Sequence, residues 1–219
     1  MKQSDSNELI DKVYVNYFNA LLSGQRQACL AIVEELMGHG VPLKSIYLSL
    51  FERSMYAVGE LWESNSISVA VEHIATAITE NAMNLLHPMI FASEHSGRKA
   101  VISCVANEYH QIGGKMVADI FELHGWDGYF LGANTPVKDL LHLVGEKKPD
   151  VVCFSLTLIS NLGVLLDHVD TLSCRFPKMP IIVGGQAFVG GETAFVPPSS
   201  SVQLVVSLDA LENFIDQNS

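Results

Sequence analysis

What the 219-residue sequence lacks already excludes several classes of protein. It has only four cysteines, and no two of them have the Cys-x-x-Cys spacing of zinc and redox motifs. Scattered cysteines predict reduced thiols in a cytoplasmic protein rather than a disulfide framework. No uncharged apolar run reaches the roughly 18 residues that a membrane helix needs, and the N-terminus shows no apolar signal region. We therefore expect a cytoplasmic protein without membrane contact.

Basic residues are also scarce. Lys and Arg number 13 against 24 Asp and Glu, which gives a formal net charge of −11 at pH 7. The longest basic run is Lys147-Lys148. Because such a surface repels nucleic acid and anionic lipid, direct binding to either is not expected. Hydrophobic residues make up 48% of the chain and charged residues 17%, which is the composition of a globular protein with a substantial core.

The N-terminal part of the chain shows apolar side chains at helical spacing. Asp5, with an acid three residues later, resembles a capping box at the start of the first helix. A second helix is predicted at about 25–37, and Pro42 opens a third. The fourth runs near 68–91, where Pro88 would bend it or end it early. Four helices with short joints predict a four-helix bundle.

The pattern changes after a small polar stretch, 92–97, which has the composition of an interdomain linker. Short apolar runs then alternate with amphipathic helical segments, which is the pattern of βαβ units. The predicted strands are 100–105, 128–131, 151–154, 181–183 and 202–206, with a loop at Pro197-Pro198 before the last one. The predicted helices are 113–124, 136–147, 160–174 and 208–217.

The predicted fold class is therefore α/β with two domains. Residues 1–92 form an N-terminal four-helix bundle. Residues 98–219 form a flavodoxin-like (Rossmann-type) five-stranded parallel sheet with helices on both faces.

Unusual residues follow several predicted strands at the point where each strand ends. Glu108 and His110 follow the first strand, and the run Ser155-Leu156-Thr157 and the pair Gly184-Gly185 end two others. A carboxylate that accepts one imidazole N–H fixes the tautomer and suits the other nitrogen to metal ligation. Because parallel strands end at one edge of a sheet, these groups should line one crevice. Each glycine taken singly is better explained as a turn residue, and only the whole set favours a binding site.

The combination Glu108-x-His110-x-x-Gly113, then Ser155-x-Thr157, then Gly184-Gly185, resembles the signature of the cobalamin-binding α/β domain over roughly residues 98–219. The resemblance implies cobalamin bound base-off/His-on, with His110 as the lower cobalt ligand and Glu108 as its hydrogen-bond partner. It also implies a slot for the nucleotide tail, lined by Gly113, Ser155, Thr157, Gly184 and Gly185. Asp is the commoner acid of this motif. Glu108 is longer than Asp by one methylene, and in having Glu at this position the chain resembles the light-sensing branch of the family.

The predicted bundle carries a second pattern, Trp62 followed after nine residues by Glu72-His73. A turn between the third and fourth helices would bring the indole, the carboxylate and the imidazole to one rim. An indole face can cover a planar group, and a carboxylate can accept hydrogen bonds from ribose hydroxyls. The alternative is a core tryptophan beside a solvated first turn whose acid is favoured by the helix dipole.

The Trp-x9-Glu-His spacing is similar to that of the CarH/LitR class of adenosylcobalamin photoreceptors. The resemblance implies that Trp62, Glu72 and His73 surround the 5′-deoxyadenosyl group, and that light breaks the Co–C bond and shifts the bundle. Two departures stand out. The repressors of that class carry a MerR-type DNA-binding domain, which this sequence does not show. They also have a His directly after the Trp where this chain has Glu63, which puts a second His ligand after illumination in doubt; His73 is the nearest substitute.

The resemblance implies a light sensor and regulator, dependent on adenosylcobalamin and not an enzyme. It would signal by conformational or oligomeric change, as a homo-oligomer or through a protein partner such as a transcription regulator, in the manner of an antirepressor. The alternative is a corrinoid carrier protein of a methyltransferase system. A mutase needs a substrate barrel for which 219 residues leave no room, and a flavin-binding domain lacks its phosphate loop here. The remaining histidines are expected to be surface or core residues: His39, His87, His95, His124, His142 and His168.

Overall fold

The structure is a computed structural model that describes residues 3–189 and 201–218, with side chains described from residue 5 onward. It divides into two compact units, Met1–Ile90 and Phe91–Ser219. The loop predicted at Pro197-Pro198 lies outside the described residues. Among the residues that are described, no helix is both long and apolar enough to cross a membrane.

The first unit is helical, as predicted. Its helices are α1 (Gln3–Leu22), α2 (Arg26–Gly38), α3 (Leu43–Ile46), α4 (Arg53–Glu63), α5 (Val69–Leu85) and α6 (His87–Ile90). A π-helical segment, Tyr47–Glu52, joins α3 to α4. Helices α1, α2 and α5 pack against one another, and α4 packs against α5. The largest side chains buried in this unit are Tyr17, Tyr47, Phe51, Ile10, Leu21, Leu36, Ile46, Leu50 and Ile78.

Local signals in the first unit were only partly correct. The predicted capping box at Asp5 is wrong, because α1 already begins at Gln3 and Asp5 lies inside its first turn. Ser68 caps α5 instead, since its hydroxyl accepts a hydrogen bond from the backbone N–H of Val71 at 3.4 Å. Pro88 acts as predicted, because α5 ends at Leu85 before the short α6. The π segment had no sequence signal, since apolar spacing does not resolve one extra residue per turn.

The second unit is a five-stranded, wholly parallel sheet in the order β2-β1-β3-β4-β5, which confirms the predicted α/β fold. The strands are β1 (Lys99–Cys104), β2 (Asp127–Phe130), β3 (Val151–Ser155), β4 (Ile181–Gly184) and β5 (Val202–Leu204). The helices are α7 (Ile112–Leu123), α8 (Val137–Lys147), α9 (Leu162–Arg175) and α10 (Leu208–Asn218). The observed bounds of these strands and helices differ from the predicted ones by at most two residues at every end.

The core of this unit lies between the sheet and its helices. Leu140 and Val144 of α8 and Leu165 of α9 pack in one buried cluster with Val152 and Phe154 of β3. Helix α7 packs on β1 and β2 and contacts α10. Right-handed crossovers place α7 on the face opposite α8 and α9, because the chain runs from β1 to β2 in one direction and from β2 to β3 in the other.

The strand order changes direction between β1 and β3. At this position of a doubly wound sheet, the loops that follow the two strands diverge and leave a crevice at the carboxyl edge. The register brings Cys104 of β1 opposite Ser155 of β3, and Ser155 opposite Gly184 of β4. The loops that carry Glu108 and Thr157 therefore begin side by side.

The stretch predicted as a linker, 92–97, is hydrogen-bonded to the second unit. The Ser93 hydroxyl donates to the Leu123 carbonyl at 2.6 Å, and the Ser96 backbone N–H donates to the Gly125 carbonyl at 2.7 Å. Gly125 has a φ of +77°, and a Cβ there would overlap the carbonyl oxygen of Glu94. The chain thus joins the second unit just ahead of β1.

Candidate functional site

The Glu108 carboxylate lies at the centre of the site and has no exposed surface. Its Oε1 accepts a hydrogen bond from Nδ1 of His110 at 2.6 Å and another from the backbone N–H of His110 at 3.1 Å. Because a carboxylate only accepts, Nδ1 must carry the imidazole hydrogen, and Nε2 is the nitrogen with the lone pair that a metal needs.

The second oxygen of the same carboxylate accepts hydrogen bonds from the neighbouring loop. Glu108 Oε2 accepts hydrogen bonds from the backbone N–H groups of Leu158 at 2.9 Å and Thr157 at 3.1 Å. The Asn161 side-chain amide lies 3.4 Å away. One buried carboxylate therefore ties the loop after β1 to the loop after β3 across the crevice.

The hydrogen bonds also decide the charge of this group. Burial acts to raise the pKa of Glu108, but hydrogen bonds from the His110 side chain and from the backbone of Leu158, His110 and Thr157 outweigh it and lower the pKa to about 2. Glu108 is therefore ionised at physiological pH, and its charge fixes the tautomer and the orientation of the imidazole.

Three asparagines connect the surrounding loops through hydrogen bonds. The Asn107 backbone N–H donates to Asn134 Oδ1 at 2.8 Å, and the Asn134 backbone N–H donates to the Glu108 carbonyl at 2.8 Å. The Asn161 amide donates to the Asn107 carbonyl at 3.2 Å. Asn107 and Asn134 have φ values of 67° and 50°, a region that Asn tolerates better than most residues. The sequence analysis did not identify Asn161 and Leu158 as site residues. The available signal was that Asn161, like Asn107 and Asn134, is an asparagine in a loop that follows a strand.

The glycines of the motif have structural roles of their own. Gly185 has a φ of 113°, and a Cβ there would overlap the backbone of Leu156, while a Cβ at Gly184 would overlap the Val205 carbonyl. A Cβ at Gly113 would lie 3.7 Å from Ser155 Oγ, in ordinary contact. Close backbone contacts within the chain therefore already require glycine at Gly184 and Gly185. A contact between these two glycines and a ligand remains a prediction.

The His110 side chain is 45% exposed, in contrast to its buried partner. Large apolar side chains on the same two loops are also exposed, since Tyr109, Leu158 and Ile159 have 67%, 41% and 50% of their surface accessible. Ser155 is buried and Thr157 is half-buried. An accessible imidazole with a fixed tautomer among apolar side chains fits a metal that is held in a large apolar macrocycle. Within the described part of the chain, no group of three or more His, Cys, Asp or Glu is arranged to hold a metal ion by itself.

The predicted residues of the first unit lie at one end of it. Trp62 is in the last turn of α4 and is 44% exposed. Glu72 is in the first turn of α5, where it accepts a hydrogen bond from the Thr76 hydroxyl at 2.8 Å. His73 is exposed, with its Nε2 3.5 Å from Glu72 Oε2. Residues 64–68 join the two helices, so the indole, the carboxylate and the imidazole flank one turn, as the spacing predicted. Glu63 ends α4 beside them.

Comparison with known families matches both parts of the chain. Residues 98–195 match the family model described as B12 binding domain, and residues 15–87 match a second model with the same description. The first match includes the loops of Glu108 and His110 and ends before β5. The second includes Trp62, Glu72 and His73.

The curated relatives include both regulators and enzymes. Methionine synthase of Mycobacterium leprae (strain TN) is 25% identical over 175 residues, which is 76% of this chain but 14% of that protein. The HTH-type transcriptional repressor CarH of Myxococcus xanthus is 27% identical over 158 residues, or 71% of this chain and 52% of the repressor. Monomethylamine corrinoid protein 2 of Methanosarcina acetivorans is 21% identical over 184 residues, or 78% of this chain and 85% of that protein. The chain thus spans about a seventh of the synthase and about half of the repressor.

The likeness extends to the fold of the whole chain. The structure of the Methanosarcina barkeri monomethylamine corrinoid protein superposes with a TM-score of 0.78 at 15% identity, covering 95% of this chain and 99% of that one. At that identity the likeness shows the fold alone. The two family matches identify two B12 binding domains in the chain, a helical one within residues 15–87 and an α/β one within residues 98–195.

Proposed function

We propose that the chain is a cobalamin-dependent light sensor that catalyses no reaction itself and signals to a protein partner by a conformational or oligomeric change. The observation that carries this proposal is the grouping of Trp62, Glu72 and His73 at one end of the first unit. A non-catalytic role fits the similarity to a transcriptional repressor and to a corrinoid protein. A transcription regulator is the class of partner that the similarity to CarH favours.

The second unit would hold cobalamin base-off/His-on. His110 would ligate the cobalt through Nε2, because its Nδ1 donates a hydrogen bond to Glu108. The proposed slot for the nucleotide tail is lined by Gly113, Ser155, Thr157, Gly184 and Gly185. The Glu108 carboxylate supports both regions, since one of its oxygens orients His110 and the other holds the Thr157 backbone.

The first unit would recognise the upper ligand. Adenosylcobalamin supplies a light-sensitive bond between cobalt and the adenosyl carbon. We assign the exposed indole of Trp62 to the adenosyl group and the Glu72 carboxylate to its ribose hydroxyls. The hydrogen bond from Thr76 already orients Glu72. Such contacts exist only while the adenosyl group is present, so they supply the differential binding energy that a two-state switch requires.

A direct experiment tests this function. The purified chain is loaded with adenosylcobalamin in the dark, and its absorbance spectrum and size-exclusion profile are recorded before and after green light. We expect a change in both on illumination, and no change in size for the chain loaded with hydroxocobalamin. The spectral change reports photolysis of the cofactor, so an adenosylcobalamin-loaded chain whose size and conformation are unaffected by light would contradict the sensor proposal.

The alternative function is that of a corrinoid carrier for methyl transfer. It is favoured by the 85% coverage of monomethylamine corrinoid protein 2. A carrier must expose the upper face of the corrin to other proteins and has no use for adenosyl-specific contacts. Equal affinity for methylcobalamin and adenosylcobalamin, together with methyl transfer in the presence of a methyltransferase, would decide for the carrier.

A further inference from the structure

Positive charge is concentrated at the sheet edge opposite His110. Eight Lys and Arg residues follow residue 90, against 14 Asp and Glu. Six of the eight lie at the amino end of a strand or in the segment leading into it: Arg98 and Lys99 for β1, Lys147 and Lys148 for β3, and Arg175 and Lys178 for β4. Asp127 and Asp150 lie at the same edge, so the cations there are mixed with carboxylates but outnumber these two, in contrast to the acidic excess of the whole chain.

A shallow groove of about 510 Å³ lies between these segments. It is lined by Pro149 and by residues 175–180, which include the apolar side chains of Phe176 and Met179. Three of the lining positions are prolines, Pro149, Pro177 and Pro180. Since proline has no backbone N–H, these positions offer no donor to a bound backbone or phosphate. The groove can therefore recognise an occupant mainly by apolar contact and by charge.

The cations of this edge differ in their partners. Arg98 is paired with Asp150 at 3.0 Å, and Lys147 lies 4.9 Å from the centre of the Tyr129 ring. Arg175 lies over the Phe176 ring at 5.6 Å. Among residues 3–189 and 201–218, no carboxylate lies within ion-pair distance of Arg175 or Lys178, and both side chains are exposed. Two uncompensated cations thus flank an apolar groove.

We propose that this groove is a docking site for an acidic linear segment of a partner protein. An aromatic or aliphatic side chain of the segment would enter between Phe176 and Met179, and Asp or Glu residues on either side would pair with Arg175 and Lys178. A protein segment is favoured over nucleic acid because a net charge of −11 repels a long polyanion. A short peptide interacts only with charges within about 8 Å at physiological salt.

The site goes beyond the proposed function, since it lies at the edge of the sheet away from His110. A partner docked there would leave the carboxyl edge accessible to cobalamin. Its binding can therefore be measured with and without cofactor, and it does not depend on the identity of the upper ligand.

The test uses the full chain and a fluorescein-labelled peptide of roughly 12 residues in which Glu alternates with Phe and Pro. The matched control peptide has Gln in place of every Glu. Fluorescence anisotropy is measured at about 50 mM and about 200 mM NaCl. We expect the acidic peptide to bind, to bind more weakly at the higher salt, and to exceed the control peptide in affinity by about tenfold.

Variants of the protein locate the binding. Arg175→Glu combined with Lys178→Glu should lower affinity for the acidic peptide by about tenfold or more, and Met179→Ala should lower it without any change of charge. Lys138→Glu is the control for each single change, Arg175→Glu or Lys178→Glu, because Lys138 is exposed in the first turn of α8, at the other end of that helix from Lys147. His110→Ala should bind the peptide normally, which separates this result from any failure of the cobalamin proposal. Circular dichroism and thermal melting of each variant show whether it is folded.

Three results would overturn the proposal. The first is the absence of binding by the acidic peptide, or equal binding by the Gln peptide. The second is wild-type affinity in a folded Arg175→Glu, Lys178→Glu variant. The third is a different occupant, either a second copy, shown by self-association that the double variant abolishes, or nucleic acid, shown by an oligouridylate that competes with the peptide.

Discussion

Glu108 Oε1 lies 2.6 Å from Nδ1 of His110, while the other oxygen of the same buried carboxylate holds the loop of Thr157 and Leu158. The proposed cobalt ligand and the loop proposed to line the nucleotide slot therefore share one support. A change at Glu108 should affect both loops and the cofactor together, whereas a change at His110 should act mainly on the cofactor and remove one hydrogen bond from Glu108.

Replacement of His110 by Ala should remove the protein ligand of cobalt and leave the chain folded, because the imidazole is 45% exposed, with a small loss of stability because Glu108 loses the hydrogen bond from Nδ1. We expect the absorbance spectrum of the cobalamin-loaded protein to lose its base-off/His-on features and the affinity to fall by at least about tenfold. His142→Ala is a matched control, since His142 is an exposed residue of α8. A His-on spectrum that persists in His110→Ala would show that another residue ligates the metal.

Replacement of Glu108 by Gln keeps the size of the side chain but places an N–H2 group among backbone donors. At least one of the bonds to His110, Thr157 and Leu158 must be lost. Leaving a buried donor without an acceptor should lower the free energy of unfolding by about 3 kcal/mol. Cobalamin affinity should fall by about 10- to 100-fold. Denaturant unfolding of the cofactor-free protein and titration with cobalamin measure the two effects.

Glu108→Asp should be compared with Glu108→Gln. It keeps the charge but shortens the side chain by one methylene, so it cannot reach both loops with unchanged geometry. We expect intermediate losses of stability and affinity. If Glu108→Gln unfolds with wild-type stability, the carboxylate does not support the two loops.

The lowered pKa of Glu108 predicts an acid-sensitive contribution to stability. A carboxyl whose pKa is about 2 in the folded state and 4.5 ordinarily stabilises the fold above about pH 4.5. That contribution, about 3 kcal/mol, is lost as the pH falls from about 5 to about 2. The difference in unfolding free energy between the wild type and Glu108→Gln should therefore shrink over this range. Urea unfolding at several pH values measures it, and a pH-independent difference would contradict the predicted ionisation.

Substitution of Gly185 by Ala should destabilise the second unit. The φ of 113° is unfavourable for any residue with a Cβ, and that Cβ would overlap the backbone of Leu156. We expect a loss of about 2–4 kcal/mol in unfolding free energy. Gly163→Ala is the control, because Gly163 is an exposed residue of α9 with open space at its Cβ, and it should change stability by no more than about 1 kcal/mol, in the stabilising direction. Equal stability of the two variants would exclude a backbone requirement at Gly185.

Trp62→Ala should impair recognition of the upper ligand without preventing cobalamin binding. Because the indole is 44% exposed, its loss should change stability little. We expect the variant to retain cobalamin but to lose its preference for adenosylcobalamin over methylcobalamin, which competitive titration measures. Val15→Ala, an exposed apolar residue of α1, serves as the control. Unchanged affinity and unchanged light response in Trp62→Ala would show that Trp62 does not contact the upper ligand.

The alternation of apolar runs and amphipathic segments was sufficient to predict the second unit. Strands such as Val151–Ser155 are buried along their whole length, and continuous apolar runs of that kind are distinctive. In the first unit, by contrast, the π segment at Tyr47–Glu52 and the true start of α1 depend on tertiary packing and on single hydrogen bonds. Such features leave no periodic signal in the sequence.

The sequence by itself determined that Glu108 and His110 follow a strand, and that hydroxyls and glycines follow others, because strand ends can be located from hydrophobic runs. Only the tertiary structure decided that one carboxylate serves both His110 and the Thr157–Leu158 backbone, across about 50 residues of chain. It also showed that Gly184 and Gly185 are required by Val205 and Leu156 of the same chain. The physical reason is that hydrogen bonds and close backbone contacts between loops depend on strand order and register, which hydrophobic periodicity does not specify.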